Sequence, residues 1–130
     1  IADEKVFLDY LSQKEIGLVP YIPLAVGLLT GRYRQDNLPK AGRLSEQAGE
    51  AWRDDFLTDR NLDLVEKLLA FAEDKGCTLA QLAIAWLLSH EVICSVIAGV
   101  TRMEHLESNV MSVNVSLTPA ELEELDSLTK

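Results

Sequence analysis

The chain has 130 residues, 48% of them hydrophobic and 25% charged, which is the balance of one ordinary globular domain. Its formal net charge is −9 with no basic stripe to offset it, which argues against nucleic acid as the main partner. No apolar run reaches the roughly 18 residues of a membrane helix, and no basic leader with an apolar core opens the chain.

Two cysteines, Cys77 and Cys94, make no disulfide framework, so reduced thiols and a cytoplasmic location are expected. Cys77, His90, Cys94 and His105 lie 13, 4 and 11 residues apart, with no C-x-x-C pair and two of the four in apolar surroundings. That pattern does not favour a zinc site.

In chain order, Asp3, Glu4 and Lys5 precede Phe7, Tyr10 and Leu11 at helical spacing, and Gly17 follows as the expected C′ residue. GLVPYI (17–22) has the composition of a short strand, although Pro20 marks it as an edge or a bulge. From Gln35 to Asp59 the chain turns polar, with Pro39, Gly42 and Gly49, and is expected to form a long excursion of the lid or mobile-loop kind.

Order returns at Asn61, where NLDLVEKLLAFAEDKG places Leu62, Val65, Leu69 and Ala72 on one helical face and stops at Gly76. Thr78 and Gln81 form a capping box for LAQLAIAWLLSH, a helix apolar nearly all round and therefore expected to be buried on several sides. ICSVIAGV (93–100) is a continuous apolar run rich in β-branched residues, the pattern of a strand covered on both faces. Thr101–Glu104 reads as a second capping box, for a helix to about Val113, and Thr118–Glu121 as a third with Pro119 at the first helical position.

The alternation implies parallel strands joined by helical crossovers, an α/β architecture. Two strands are too few for a stable sheet, and both would be edges. Further strands are therefore expected from another part of a longer protein or from another copy. The start at Ile1, without a strand before the first helix, carries the same expectation.

Ligands of parallel α/β folds bind beyond the carboxyl ends of the strands. After the first strand comes PLAVGLLTGR (23–32), where glycine admits an anion close to the backbone and arginine offers paired donors. After the second comes Gly99-Val100-Thr101-Arg102 at the mouth of a helix, whose amides and dipole favour an anion. Together they could hold an extended diphosphate; equally, glycines after strands are often only turn residues, and capping boxes merely start helices.

IPLAVGLLTGRY resembles the S-P-L-x-x-G-x-L-T-G-K-Y segment of aldo-keto reductases, and IAGVTRMEHLESN resembles their I-P-G-x-x-x-x-E-x-x-x-E-N segment. With the intervening A-x-A-W-L-L run, these motifs stand in the family's order and spacing across essentially the whole chain. The resemblance implies a single domain, 1–130, that is the C-terminal portion of a barrel: α/β, a partial (β/α)8 TIM barrel with two parallel strands and four to five helices.

It further implies NADP(H) in an extended pose, and reduction of a small aldehyde or ketone when the full barrel is present. Tyr21 matches the aromatic that stacks on nicotinamide, or else walls the barrel mouth. Pro23, Leu24, Gly27, Leu28, Gly31 and Arg32 match the loop that wraps the pyrophosphate, with Thr30 pinning its turn. Gly99, Thr101, Arg102 and His105 match the segment around the 2′-phosphate, with Asn109 at the adenine. Arg102 is the stronger phosphate ligand, being permanently charged; His105 reads equally well as a surface histidine.

The departures are Ile22 for a serine, Ala98 for a proline and Ser108 for an acid. The first and last each remove one polar contact, worth about 1 kcal/mol where it is otherwise made. The family's catalytic Asp, Tyr, Lys and His have no counterpart here, and neither Tyr10 nor Tyr33 stands in a matching context. No turnover is expected of this chain alone. The competing expectations are a non-catalytic half-barrel that binds nucleotide weakly or self-associates, and an inert fragment whose exposed edges drive association.

Overall fold

The computed structural model describes residues 4–45 and 50–129. Along the chain it contains α1 (Glu4–Gln13), a 3₁₀ segment (Ala25–Thr30), α2 (Glu50–Phe56), α3 (Asp59–Lys75), α4 (Leu79–Leu88), α5 (Met103–Val110), a second 3₁₀ segment (Met111–Asn114) and α6 (Pro119–Thr129). The boundaries follow local chemistry. Thr58 caps α3 by accepting the Asn61 N–H at 3.2 Å, so the helix begins two residues before the expected start. Gly76 closes α3 with a φ of 72°, which an L-residue with a Cβ adopts only under strain.

Thr78 and Gln81 make both bonds of the capping box of α4, at 3.2 and 3.0 Å. Thr118 and Glu121 make the corresponding pair at the start of α6, at 3.3 and 2.7 Å. Helix α1 ends differently from expectation. Glu15, not Gly17, carries the positive φ (54°), and the Ile16 N–H returns to Leu11 O at 3.0 Å. Gly17 is required for a different reason: a Cβ there would lie 2.9 Å from Cys94 Sγ.

Helix α4 is the hub. It packs on α3, α5 and both 3₁₀ segments, and none of its residues is exposed, as an all-round apolar sequence requires. Leu62, Val65, Leu68 and Ala72 of α3, Leu79 and Leu82 of α4 and Leu125 of α6 form one core with Val26, Leu28, Tyr33 and Leu44 of the long connection. Each fully buried leucine contributes about 2 kcal/mol. The buried α3 face includes Leu68; Leu69, expected there, is half-buried and packs over Gly31 instead. Polar ties complete the frame: Lys75 Nζ to Glu121 Oε1 at 2.5 Å, Trp86 Nε1 to Asp126 Oδ1 at 3.3 Å, and Gln81 Nε2 to Ser108 O at 3.1 Å.

The two expected strands form only two isolated parallel bridges, Leu18 with Ile93 and Tyr21 with Ile97. The joining bonds are Leu18 N–H to Val92 O (2.6 Å), Cys94 N–H to Leu18 O (3.1 Å) and Ile97 N–H to Pro20 O (3.2 Å). Three residues of the first segment advance against four of the second, the signature of a bulge. Pro20 has no N–H to continue the ladder. The second run is not covered on both faces either: Cys94, Ser95, Ile97 and Gly99 are exposed. The expected two-stranded sheet is thus reduced, among the described residues, to these two bridges. Helices dominate the described residues.

The excursion is ordered where it is described. Arg34 grips Glu66 of α3 through both carboxylate oxygens, and Gln35 bonds Asp63. The Glu66 carboxylate, through its hydrogen bonds and charge, raises the Arg34 pKa above its ordinary value. Arg34 and Asn37 form a small antiparallel bridge, and α2 occupies the far end. Of the three punctuating residues, Gly49 lies outside the described residues.

Candidate functional site

The segment after Tyr21 departs sharply from regular backbone. Ile22 (φ 55°), Ala25 (47°), Val26 (59°) and Gly27 (102°) all take positive φ within six residues. Such angles cost of order 1–3 kcal/mol each for residues with a Cβ, most of all when β-branched, and they persist only when surrounding packing enforces them. Here Val26 and Leu28 enforce them, both buried in the core and pulling the loop inward on either side of Gly27. Thr30 Oγ1 donates to Gly27 O at 2.7 Å and pins the turn. Gly31 ends it with a φ of 72°, and a Cβ there would lie 2.7 Å from Leu69 Cδ2.

Pro23 and Leu24 line the loop half-buried, and Arg32 emerges exposed just beyond it. Tyr21 precedes it, 74% exposed. Both features read in the sequence for a pyrophosphate loop, close backbone and an adjacent guanidinium, occur together in this turn.

The second half of the site lies at the start of α5. Arg102 is the N-cap residue, in extended backbone, and no side chain caps the helix. The expected Thr101–Glu104 capping box is therefore not formed. It is one residue out of register, because the third helical position belongs to His105 rather than Glu104. Gly99 has nothing within 4 Å of the place where a Cβ would stand, and Thr101 is exposed beside it.

Arg102 Nη1 meets Glu104 Oε1 at 3.2 Å, and His105 Nε2 approaches the same oxygen at 3.9 Å, all three side chains more than half exposed. A single carboxylate thus pairs with Arg102 and stands near His105. An exposed pair of this kind is worth under about 1 kcal/mol, so an incoming phosphate can displace it. Asn109 is half-buried on the same helix, and the neighbouring Ser108 serves through its carbonyl, which accepts from Gln81.

The Tyr21–Ile97 bridge sets the two halves side by side: residues 22–32 and 98–102 leave the same end of the same parallel pairing. The twelve nominated residues thus fall into two clusters at one edge of the fold. Sequence reasoning passed over Tyr33 and Gly42, which pack directly against the first cluster. A Cβ on Gly42 would lie 2.2 Å from Tyr33 Oη and 3.5 Å from Arg32 Nη1. The signal available was the Gly-Arg-Tyr run and a lone glycine ten residues on.

A shallow pocket lined by Ala85, Leu88, Ser112 and Leu122 includes none of the nominated residues. Cys77 is half-buried, and burial pushes its thiol pKa up, away from nucleophilic use. Among the described residues no group of three His, Cys, Asp or Glu side chains is placed to hold a metal ion, and no helix is long and apolar enough to cross a membrane.

A sequence model of the Aldo/keto reductase family matches residues 2–130. The chain belongs to that family. The chain is 34% identical over 127 residues to an L-glyceraldehyde 3-phosphate reductase of Escherichia coli O157:H7, covering 95% of this chain and 36% of that protein. It is 36% identical over 127 residues to a probable voltage-gated potassium channel subunit beta of Arabidopsis thaliana, covering 96% of this chain and 39% of that one. Among solved structures, a thermostable aldo-keto reductase, Tm1743, crystallised with the inhibitor epalrestat, superposes with a TM-score of 0.61 at 23% identity. That match covers 93% of this chain and 32% of the other, and it shows a shared fold. This aldo-keto reductase chain thus spans a little over a third of the length of the curated relatives it matches.

Proposed function

We propose that this chain supplies the dinucleotide-binding portion of an NADP(H)-dependent aldo-keto reductase whose complete barrel reduces a small aldehyde or ketone. The reading rests on one observation. The positive-φ loop at 22–31 and the uncapped start of α5 are brought to one edge by the Tyr21–Ile97 bridge, each with an arginine at its rim. The residues fit the group. Gly99 leaves backbone open to close approach, Gly27 takes the positive φ of the turn, and Arg32 and Arg102 supply charge at two separate places, as a ligand with two phosphate centres needs.

The bound cofactor would supply the hydride, and this chain's residues hold and orient it. Arg32 would meet the pyrophosphate beside Gly27, while Arg102, released from Glu104, would meet the 2′-phosphate. Ile22 offers no hydroxyl to the first, and Ser108 offers no carboxylate to the adenine. The family's proton-donating tyrosine and its neighbours are not among these residues, so turnover belongs to the longer protein.

Titration of the 130-residue chain with NADPH, followed by cofactor fluorescence, tests the proposal. Saturable binding is expected, weakened about tenfold by Arg32→Ala and likewise by Arg102→Ala, since a charge-assisted hydrogen bond is worth about 1.5 kcal/mol. Absence of binding to the unsubstituted chain at millimolar NADPH would overturn the reading.

A second reading is a non-catalytic module that self-associates. It is favoured by exposed apolar side chains: Phe7 and Tyr10 of α1 and Tyr21 and Ile97 of the bridged segments are each more than half exposed.

A further inference from the structure

Tyr33 is 2% exposed although it stands between two exposed arginines. Its ring packs beneath the dinucleotide loop, with Cε2 3.7 Å from where a Cβ on Gly27 would stand. Its hydroxyl accepts the Leu44 N–H at 3.2 Å and occupies the space of the missing Gly42 side chain. Arg32 Nη1 borders the same space, 3.5 Å from where a Cβ on Gly42 would stand. Gly42 is held in turn by Ser45, whose N–H and Oγ both donate to Gly42 O, at 3.1 and 2.7 Å. One phenol therefore lies against Gly27, bonds the backbone of the 42–45 turn, and fills the space beside Gly42 that Arg32 Nη1 also borders.

We propose that Tyr33 is a positioning residue for the phosphate site, seating Arg32 through its hydroxyl bond to the 42–45 turn. Gly42 keeps open the space this requires. The inference rests on the dinucleotide reading above and adds to it a residue that touches no ligand. Three features support it. An arginine at the end of a flexible stem loses entropy when it is held, and a preformed seat lowers that loss at binding. The seat exists because Gly42 takes a φ of 133° and has no Cβ. The bond that locks the seat joins a buried ring to a buried backbone amide, where solvent does not compete.

The test is a double-mutant cycle on the 130-residue chain, with NADPH affinity and thermal unfolding measured for each member. The members are the unsubstituted chain, Tyr33→Phe, Arg32→Ala and the pair together. Tyr33→Phe keeps the ring and removes the hydroxyl, and about a fivefold loss of affinity is expected from one hydrogen bond.

The discriminating result is the pair. If Tyr33 acts through Arg32, the double variant binds no more weakly than Arg32→Ala alone, although both chains carrying Tyr33→Phe unfold at a lower temperature. Losses that multiply would mean that Tyr33 only stabilises the fold, and that outcome overturns the proposal. So does unchanged affinity in Tyr33→Phe. If the unsubstituted chain binds no NADPH, the dinucleotide reading fails and takes this inference with it. Binding by the unsubstituted chain with a non-interacting or silent Tyr33 sinks this inference alone.

Discussion

Ser112 illustrates how much a single side chain can disclose. It is 1% exposed, and its Oγ has no hydrogen-bond partner. A buried hydroxyl without a partner costs about 1–3 kcal/mol. Ser112→Ala should therefore raise the unfolding free energy by about 1 kcal/mol, read from the midpoint of a urea titration at constant slope. A lower midpoint would mean that the hydroxyl is satisfied in solution. No periodicity marks this position; it became visible only when the 111–114 segment packed on α4. Arg32 and Arg102 are the opposite case, since a permanent charge beside glycine or at a helix start is legible in the letters. Their neighbours were not. Glu104 was read as part of a cap, and its side chain instead pairs with Arg102.

At the scale of elements, capping chemistry separates the helices that local pattern specified from those that packing decided. The Thr78 and Thr118 boxes form as written, whereas the Thr101 box does not form, because α5 begins one residue later than expected. Helix α6 is fastened at its start by Glu121, whose carboxyl pKa falls from its ordinary 4.5 to about 2. The Lys75 ammonium is the main cause, followed by the backbone N–H and side chain of Thr118. Because the folded pKa lies below the unfolded one, the contribution is complete above the unfolded value and is lost as pH falls through the folded value. The loss therefore spans about pH 4.5 down to about 2. Denaturant midpoints measured from pH 7 to pH 2 should show the advantage of the natural chain over Glu121→Gln shrinking in that window. A gap that stays constant to pH 2 would show that Lys75 and Thr118 do not act on Glu121 in solution.

At the scale of the whole molecule, the dominant feature among the described residues is one parallel pairing with no further strand beside it. Tyr21 is 74% exposed and Ile97 60% exposed, with Val6, Phe7, Tyr10 and Val19 also exposed, far more apolar edge than an isolated domain ordinarily presents. Sedimentation velocity over a range of concentrations should show association of the 130-residue chain, growing with concentration. Monomer throughout would mean that this edge closes on itself in solution. The same openness explains why the strands were the weakest part of the sequence reading. Strands draw their regularity from neighbours, and with Pro20 in one and solvent beside the other, only two bridges persist. Helices α3 and α4 came out close to expectation because their periodicity, caps and terminal glycine are all local.

Short-range pattern in the letters was enough for α3, α4 and α6, two of the three capping boxes, the family, and which residues carry charge next to glycine. Each of these depends on spacing within a few residues, or on motifs in fixed order. Helix α2, by contrast, lies inside the stretch expected to be a loop. Long-range packing settled the rest. It chose Leu68 over Leu69 for the core, turned Glu15 instead of Gly17 left-handed, and held Ile22, Ala25 and Val26 at angles their own side chains disfavour. It also put Tyr33 under Gly27 and against Gly42. Such outcomes depend on atoms brought together across long separations in the chain. Only packing supplies the energy that overrides local preference there.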